Sequence, residues 1–141
     1  MTTRCFLEQT LAIIKPDAVQ RHLVGAIISE IERNNFRIAV IRTLRLSPEQ
    51  AARFYAAHQG KPFFDSLVAY TASGQIYALI LEKEHAVEAW RQLMGPTRPE
   101  LAAADTIRRR FAIDVQKNSV HGADSPATAS REIQFFFGEG E

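Results

Sequence analysis

The stretch "TLAIIKPDAV", residues 10–19, decides the fold because it joins a short apolar run to a lysine and a proline. Leu11 to Ile14 have the length and the composition of a buried central strand. Pro16 has no backbone N–H to give to the ladder of a sheet, so the strand is predicted to stop at this point. Lys15 is therefore predicted to stand at the end of a central strand.

Two more strands and a set of helices are predicted around this stretch. "FRIAVIRTLRL", residues 36–46, alternates in polarity, and "QIYALIL", residues 75–81, is a short apolar run, and each pattern favours a strand. Ser47, Pro48 and Gln50 have the pattern of a capping box, which predicts a helix start. The other predicted helices are "VGAIISEIERNN" (24–35), a short piece around "KPFFDSLVAY" (61–70), "EHAVEAWRQLMG" (84–95) closed by Gly95, "DTIRRRF" (105–111) capped by Asp105, and a last helix with Asp124 or Ser125 as cap and Pro126 at its first position.

The order of these elements predicts the fold class. Three strands separated and followed by helices favour an α+β sandwich, with helices over a small and mainly antiparallel sheet. The sequence has 141 residues and shows no repeat, linker or low-complexity tract, so residues 1–141 are predicted to form a single domain. The loop "GPTRPELAAA", residues 95–104, is longer than a minimal connector requires, and long ordered loops are often functional.

Composition disfavours several classes of protein. The formal net charge is only +1, so no global field favours nucleic acid or an anionic membrane surface. A single cysteine, Cys5, allows no internal disulfide and fits a reducing compartment. The sequence contains no run of roughly 18 apolar residues. Its first residues lack the apolar core of a signal peptide, and a cytoplasmic location is therefore predicted.

Three cations lie at the edges of predicted elements, Lys15, Arg91 and Arg108. An arginine fork matches phosphate oxygens by bidentate geometry and a lysine supplies a point charge, while Thr97 or Asn118 would add neutral hydrogen bonds. A solvated surface charge is the competing interpretation of each cation. The sequence has neither a P-loop nor a G-x-G-x-x-G motif after a strand, so any nucleotide must be held by side chains.

His121 is the sharpest candidate for covalent chemistry. It lies in "NSVHGADS", residues 118–125, where the small neighbours Gly122 and Ala123 let a substrate approach the imidazole. Glu132, in the following helix, is placed to fold back onto the ring and fix its tautomer. A loop histidine and an ordinary helix carboxylate are the competing interpretations. The histidines and the cysteine show no ligand spacing, which gives a zinc enzyme little support.

An aromatic and aliphatic patch near "KPFF", residues 61–64, contains Phe63, Leu67 and Tyr55. An exposed phenylalanine in this patch would stack on a base, although core packing is the more common fate of such residues. Stacking does not involve the exocyclic groups of a base, so a site of this kind is expected to accept many nucleotides.

Five motifs together resemble the nucleoside diphosphate kinase family. They are "KPDAV" (15–19), "FYAAHQGKPFF" (54–64), "WRQLMGPTRP" (90–99), "DTIR" (105–108) and "NSVHGADS" (118–125), and they occur in the order that they have in the family. The resemblance extends from "TLAIIKPDAVQR" to "REIQFFF". It implies a ferredoxin-like α+β fold, with a mainly antiparallel four-stranded sheet covered by helices.

The resemblance also implies an activity, the ping-pong transfer of the γ-phosphate from a nucleoside triphosphate to a nucleoside diphosphate. His121 would be the phosphorylated nucleophile, and Mg²⁺ would bridge the phosphates, with Asp124 as the nearest family-like carboxylate, directly or through water. A homo-oligomer, at least a dimer, is implied as well. By motif position, Tyr55 and Glu132 would brace His121. Phosphates or ribose would be contacted by Lys15, Arg91, Thr97, Arg108 and Asn118. Phe63 would stack on the base, and Leu67 and Val115 would line the slot that the base occupies.

The sequence departs from the family pattern at three positions. Ala123 stands where the resemblance implies a serine, whose hydroxyl helps to hold the carboxylate that orients the histidine. Asp105 and Arg109 stand where the family commonly has glycine and a small residue, and a carboxylate near bound phosphates would weaken their binding. These departures motivate one alternative, a nucleotide-binding or regulatory relative with weak or lost phosphotransfer. An RNA-binding module on a similar sandwich is disfavoured by the near-zero net charge.

Overall fold

The computed structural model describes residues 7–138, which form a four-stranded sheet with helices packed on both faces. Cys5 lies outside the described residues. Each neighbouring pair of strands is antiparallel, which confirms the predicted α+β class and its antiparallel sheet. The strands are β1 (Glu8–Ile14), β2 (Arg37–Leu44), β3 (Ile76–Lys83) and β4 (Val120–Gly122), in the order β2-β3-β1-β4.

Helices of 5 to 12 residues connect these strands, and the longest, α7, follows the last of them. The α-helices are α1 (Pro16–Gln20), α2 (Val24–Arg33), α3 (Pro48–Phe54), α4 (Phe64–Thr71), α5 (Ala86–Met94), α6 (Ile107–Phe111) and α7 (Pro126–Phe137). Two 3₁₀ turns, Ala56–His58 and Pro99–Leu101, lie in the connections after α3 and α5. Within residues 7–138, every helix is too short or too polar to cross a membrane.

β1 is the central strand that the opening stretch predicts. Leu11 to Ile14 are each at most 1% exposed. Because strand side chains alternate between faces, Ala12 and Ile14 pack with residues of α2 and α5, whereas Leu11 and Ile13 pack with residues of α3 and α7. Burial on both faces explains why the strand is apolar at successive positions. Pro16 begins α1, and Lys15 is left at the strand end as predicted.

The capping box is confirmed at the start of α3. The N–H of Gln50 donates to Ser47 Oγ over 3.1 Å, and the N–H of Ser47 donates to Gln50 Oε1 over 2.8 Å. Gly95 ends α5 with a φ of +85°, a conformation that favours glycine. Ser125 is the N-cap of α7, and its Oγ accepts from the N–H of Thr128.

Three elements differ from the sequence patterns. Asp105 is not the cap of α6, because the adjacent Thr106 takes that place and its hydroxyl accepts from the N–H of Arg109 over 3.3 Å. The residue patterns do not predict helix α1. They do not predict β4 either, since they indicate three strands and the fourth follows only from the family resemblance. His121 therefore lies in a strand and not in a loop.

Candidate active site

A cleft of about 990 Å³ lies beside β4, between α5, α6 and the segment that leads from α3 into α4. The cleft brings together side chains that are far apart in the sequence. Glu132 is the one predicted site residue that does not line it. The predicted residues that do line it are Lys15, Tyr55, Phe63, Leu67, Arg91, Thr97, Arg108, Val115, Asn118, His121 and Asp124.

His121 is the middle residue of β4, and its side chain is held from one side by a carboxylate. Its Nε2 lies 3.1 Å and 3.2 Å from the two carboxylate oxygens of Glu132, on α7. The rings of Phe54 and Tyr55 meet the imidazole edge-on, with centroids at 5.2 Å and 6.0 Å. Within residues 7–138, Nδ1 of His121 has no hydrogen-bond partner. The imidazole is thus fixed at one nitrogen and free at the other.

Lys15 extends from the end of β1 into the cleft. The residue is 7% exposed, and its Nζ donates to Asn118 Oδ1 over 2.9 Å and to the carbonyl of Gln116 over 3.4 Å. Burial, together with the nearby Arg108 cation, lowers the pKa of Lys15 to about 7. No carboxylate within the described part of the chain forms an ion pair with it. An anion in the cleft would supply the missing counter-charge.

Arg108 is a second buried cation, and its guanidinium holds backbone on two sides. One terminal nitrogen donates to the carbonyl of Gly95 over 2.9 Å and the other to the carbonyl of Val120 over 2.8 Å. Its Nε is buried without a partner among the described residues. Burial lowers the pKa of Arg108 to about 10. The side chain therefore links the end of α5 to the residue that precedes His121.

Arg91, Thr97 and Asn118 bring the remaining predicted phosphate or ribose contacts to the same cleft. Arg91 is exposed, and its side chain has no ion-pair or hydrogen-bond partner within residues 7–138. Asn118 is 2% exposed, and its Nδ2 donates to the carbonyl of Val115 over 3.0 Å and to that of Thr97 over 3.4 Å. The Asn118 amide thus holds three segments around the cleft, since its oxygen accepts from Lys15.

The mouth of the cleft is apolar. Phe63 is 47% exposed and Val115 is 52% exposed, although both are large hydrophobic residues. Leu67 is half-buried beside them, and the ring of His58 lies 5.4 Å from that of Phe63. Exposed apolar side chains on two sides of a cleft suit a planar, weakly polar group such as a base.

Several residues that the sequence analysis does not single out support the site. Asp17 accepts hydrogen bonds from the hydroxyl of Tyr70, from a terminal nitrogen of Arg21, and from both the N–H and the hydroxyl of Ser119. This network joins α1 to the residue that precedes β4. The indole of Trp90 donates to the carbonyl of His121. Apart from the Asp17–Arg21 pair, which is four residues apart, these contacts connect distant segments, so spacing in the sequence gives no signal for them.

Asp124 is the predicted carboxylate for a divalent cation. It is exposed, lines the cleft, and is not the N-cap of α7. Within residues 7–138, no group of three acidic, histidine or cysteine side chains is arranged to hold a metal ion. Mg²⁺ keeps several waters and is commonly bound through one or two carboxylates and the phosphates of a substrate. A lone carboxylate at this place fits a cation that enters with the substrate.

The three departures from the family pattern have different surroundings. Asp105 does not line the cleft but a smaller cavity with Lys83 and Phe36, so its carboxylate is not among the groups placed to face bound phosphates. Arg109 donates to the carbonyls of Glu100 and Ala102 and so ties the long loop to α6. Ala123 is 1% exposed and packs with Val87 and Ala129.

Comparison with known proteins assigns this architecture to a family. The family model described as "Nucleoside diphosphate kinase" matches residues 8–141. The chain belongs to the nucleoside diphosphate kinase family. It is 55% identical to the nucleoside diphosphate kinase of Pasteurella multocida over 135 residues, which cover 96% of this chain and 97% of that protein. The enzyme of Histophilus somni is 53% identical over 135 residues, 96% of each chain.

Solved structures of nucleoside diphosphate kinases share the fold. The Aquifex aeolicus enzyme superposes with a TM-score of 0.91 at 39% identity, covering 94% of this chain and 96% of that one. The Halobacterium salinarum enzyme, solved in complex with CDP, gives a TM-score of 0.92 at 38% identity, covering 96% and 91%. The ferredoxin-like fold is confirmed. Membership makes this chain an enzyme of phosphotransfer between nucleotides, and a regulatory relative without that activity is not favoured.

Proposed function

We propose that this chain transfers the γ-phosphoryl group of a nucleoside triphosphate to a nucleoside diphosphate through a phosphohistidine at Nδ1 of His121. The observation that carries the proposal is the difference between the two ring nitrogens. Nε2 faces the carboxylate of Glu132, whereas Nδ1 has no partner among the described residues. A carboxylate on Nε2 favours the tautomer with its proton there, which leaves a lone pair on Nδ1.

The reaction has two balanced halves. In the first, Nδ1 attacks the γ-phosphorus, the N–P bond forms, and the P–O bond to the departing diphosphate breaks. Positive charge develops on the imidazole, and the Glu132 carboxylate stabilises it. In the second half, a terminal oxygen of another nucleoside diphosphate attacks the same phosphorus and the N–P bond breaks. The histidine returns to its neutral form, as a ping-pong cycle requires.

The cations of the cleft would bind the phosphates. Lys15 and Arg91 have no carboxylate partner within residues 7–138, and Arg108 adds its charge from a buried position. Thr97 and Asn118 line the cleft beside them and would contact phosphate or ribose oxygens. In-line transfer depends mainly on positioning and on stabilising the charge of the phosphoryl group.

The base would lie between Phe63 and Val115, with Leu67 at its side. The exposure of these apolar residues supports this assignment, because stacking on a base covers them. Contacts of this kind do not discriminate among exocyclic groups, and we propose that all common nucleotides are accepted.

A divalent cation is part of the proposal. When bound, Mg²⁺ would neutralise phosphate charge, and Asp124 would hold it, directly or through a water. The fit rests on the chemistry of one exposed carboxylate in the cleft. Assembly into a homo-oligomer also belongs to the proposal, as the family resemblance predicts. So does a cytoplasmic location, which fits the lone cysteine.

The test is labelling of the enzyme with ATP that carries a γ-phosphate label. We expect label on His121 that is lost in acid and survives alkali, and we expect His121→Ala to lose the label and the transfer while nucleotide binding persists. His22→Asn is the matched control, because His22 lies outside the cleft at a φ of +62° that asparagine tolerates. Retained turnover in the His121→Ala variant would refute the assignment.

A further inference from the structure

β4 is the strand of the sheet with the least support from other strands. It has three residues and lies at the edge, and β1 is its one strand neighbour within residues 7–138. His121 is its middle residue. The direction in which the imidazole leaves the backbone therefore depends on contacts from outside the sheet as well as on the pairing of His121 with Ile13 of β1.

Trp90, on α5, supplies such a contact. Its side chain is fully buried, and its indole N–H donates to the carbonyl of His121 over 3.1 Å. The ring of Phe36 meets the indole edge-on, with centroids 6.2 Å apart. A packed indole has little freedom to rotate, so this donor holds the peptide plane of His121 in one orientation.

Gly122 lets the indole approach this closely. A Cβ added at Gly122 would lie 2.5 Å from Cδ1 and 2.6 Å from Nε1 of Trp90, which is shorter than any normal contact between non-bonded atoms. The φ of Gly122 is not positive, so close approach and not a left-handed backbone demands the glycine. The indole and the strand thus fit each other directly beside the nucleophile.

We propose that Trp90 is a positioning residue for phosphoryl transfer, because its indole N–H fixes the backbone of His121 and thereby aims Nδ1 at the phosphorus. The inference rests on the proposed phosphohistidine chemistry. Trp90 does not line the cleft. It therefore acts through His121 and not on the nucleotide, and the turnover number should depend on it more than the KM does.

The experiment compares two variants that both reduce aromatic packing. Trp90→Phe keeps a ring but removes the N–H, whereas Phe36→Leu removes the ring that packs on Trp90 and keeps the hydrogen bond. We expect Trp90→Phe to slow phosphorylation of His121 about three- to tenfold, with the KM for nucleotide within about twofold of wild type. We expect Phe36→Leu to lower the melting temperature similarly while the phosphorylation rate stays near that of wild type.

The indole gives a second readout in the unaltered protein. The sequence contains one tryptophan, so a proton–nitrogen correlation spectrum shows a single indole N–H signal. We expect this signal to shift between the free enzyme and the isolated phosphoenzyme, both without nucleotide, since the hydrogen bond joins the indole to the modified residue.

Three results would overturn the inference. They are an unchanged phosphorylation rate in Trp90→Phe, an equal loss of rate in Phe36→Leu at matched loss of stability, and an indole signal that does not move on phosphorylation. Failure of the proposed function looks different, because the wild-type enzyme would then take up no acid-labile label. If Trp90→Phe does not fold, the comparison of the indole signal in the wild-type protein decides.

Discussion

At the inner end of the cleft, around His121, side chains are buried or half-buried and contact other parts of the chain. At the mouth, Phe63 and Val115 leave about half of their surfaces exposed. Glu132 holds Nε2 of the histidine, and the histidine carbonyl accepts from an indole. The mouth has exposed apolar side chains with no comparable network among the described residues.

The difference separates two physical tasks. Phosphoryl transfer requires the nucleophile to be held to within less than about 1 Å of its reactive position, and fixed hydrogen bonds provide that precision. Acceptance of many bases requires the reverse, an apolar surface without directional groups. Variants at the inner end should therefore change turnover, and variants at the mouth should change the KM.

The largest change in kinetics is expected from Glu132→Gln, at the inner end of the cleft. An amide does not carry the charge that stabilises the imidazolium, and it can present either a donor or an acceptor to Nε2. We expect the turnover number to fall about 10- to 100-fold with little change in the KM. Steady-state kinetics of Glu88→Gln, a second glutamate at the cleft that does not contact His121, provide the matched control. An effect of equal size in both variants would contradict the role of Glu132.

A smaller effect, confined to the KM, is expected from Phe63→Ala. Stacking of a base on an aromatic ring is worth about 1–2 kcal/mol at an exposed site, which corresponds to a roughly 5- to 30-fold higher KM. The measurement is the KM for ATP, GTP and CTP, with the turnover number as the internal reference. An unchanged KM for all three nucleotides would contradict the stacking of the base on Phe63.

The smallest effect concerns Lys15, a buried cation at the inner end of the cleft. Its pKa of about 7 means that the ammonium loses its proton as the pH rises through neutrality. If Lys15 binds phosphate as proposed, phosphate affinity should fall on the alkaline side. We expect ADP to bind about fivefold more weakly at pH 8 than at pH 7, with proton uptake on binding because the phosphate favours the charged form.

Calorimetry in two buffers of different ionisation enthalpy measures that uptake. Lys15→Gln removes the titrating group. We expect this variant to bind ADP more weakly than the wild type and to lose the roughly fivefold difference in affinity between pH 7 and pH 8. If wild type and Lys15→Gln show the same pH dependence, Lys15 stays charged throughout this range and its burial does not control binding.

An element can be predicted from the sequence when the interactions that form it leave a local pattern, and not when they join distant segments. β1 is predictable because burial on both faces leaves a continuous apolar run, and the start of α3 because its capping box lies within four residues. The residue patterns miss β4, since three residues have no measurable periodicity and the strand exists through pairing with β1. The prediction of Asp105 as a cap is wrong because the next residue, Thr106, carries an equally suitable side chain.

The residues of the site likewise fall into those that the sequence predicts and those that it does not. Apart from Glu132, which reaches His121 from outside, the residues expected from family motifs line one cleft, while their individual roles stay predictions. The sequence does not single out Trp90, Asp17 and Ser119 as site residues, because they act on backbone groups or on each other across the fold. No spacing rule detects an indole that donates to a carbonyl in a distant strand.

The contact between Asp17 and Ser119 also bears on when the enzyme becomes active during its synthesis. The two residues are 102 positions apart, and β4 pairs with β1 at a similar separation. Closing so long a loop is slow compared with forming the hairpin-like and helical contacts nearer in sequence. On the ribosome, β1, β2 and β3 can pair before β4 has been made. The proposed nucleophile, His121, is thus assembled last, and under this proposal a nascent chain with its sheet partly in place has no phosphoryl acceptor until its final quarter emerges.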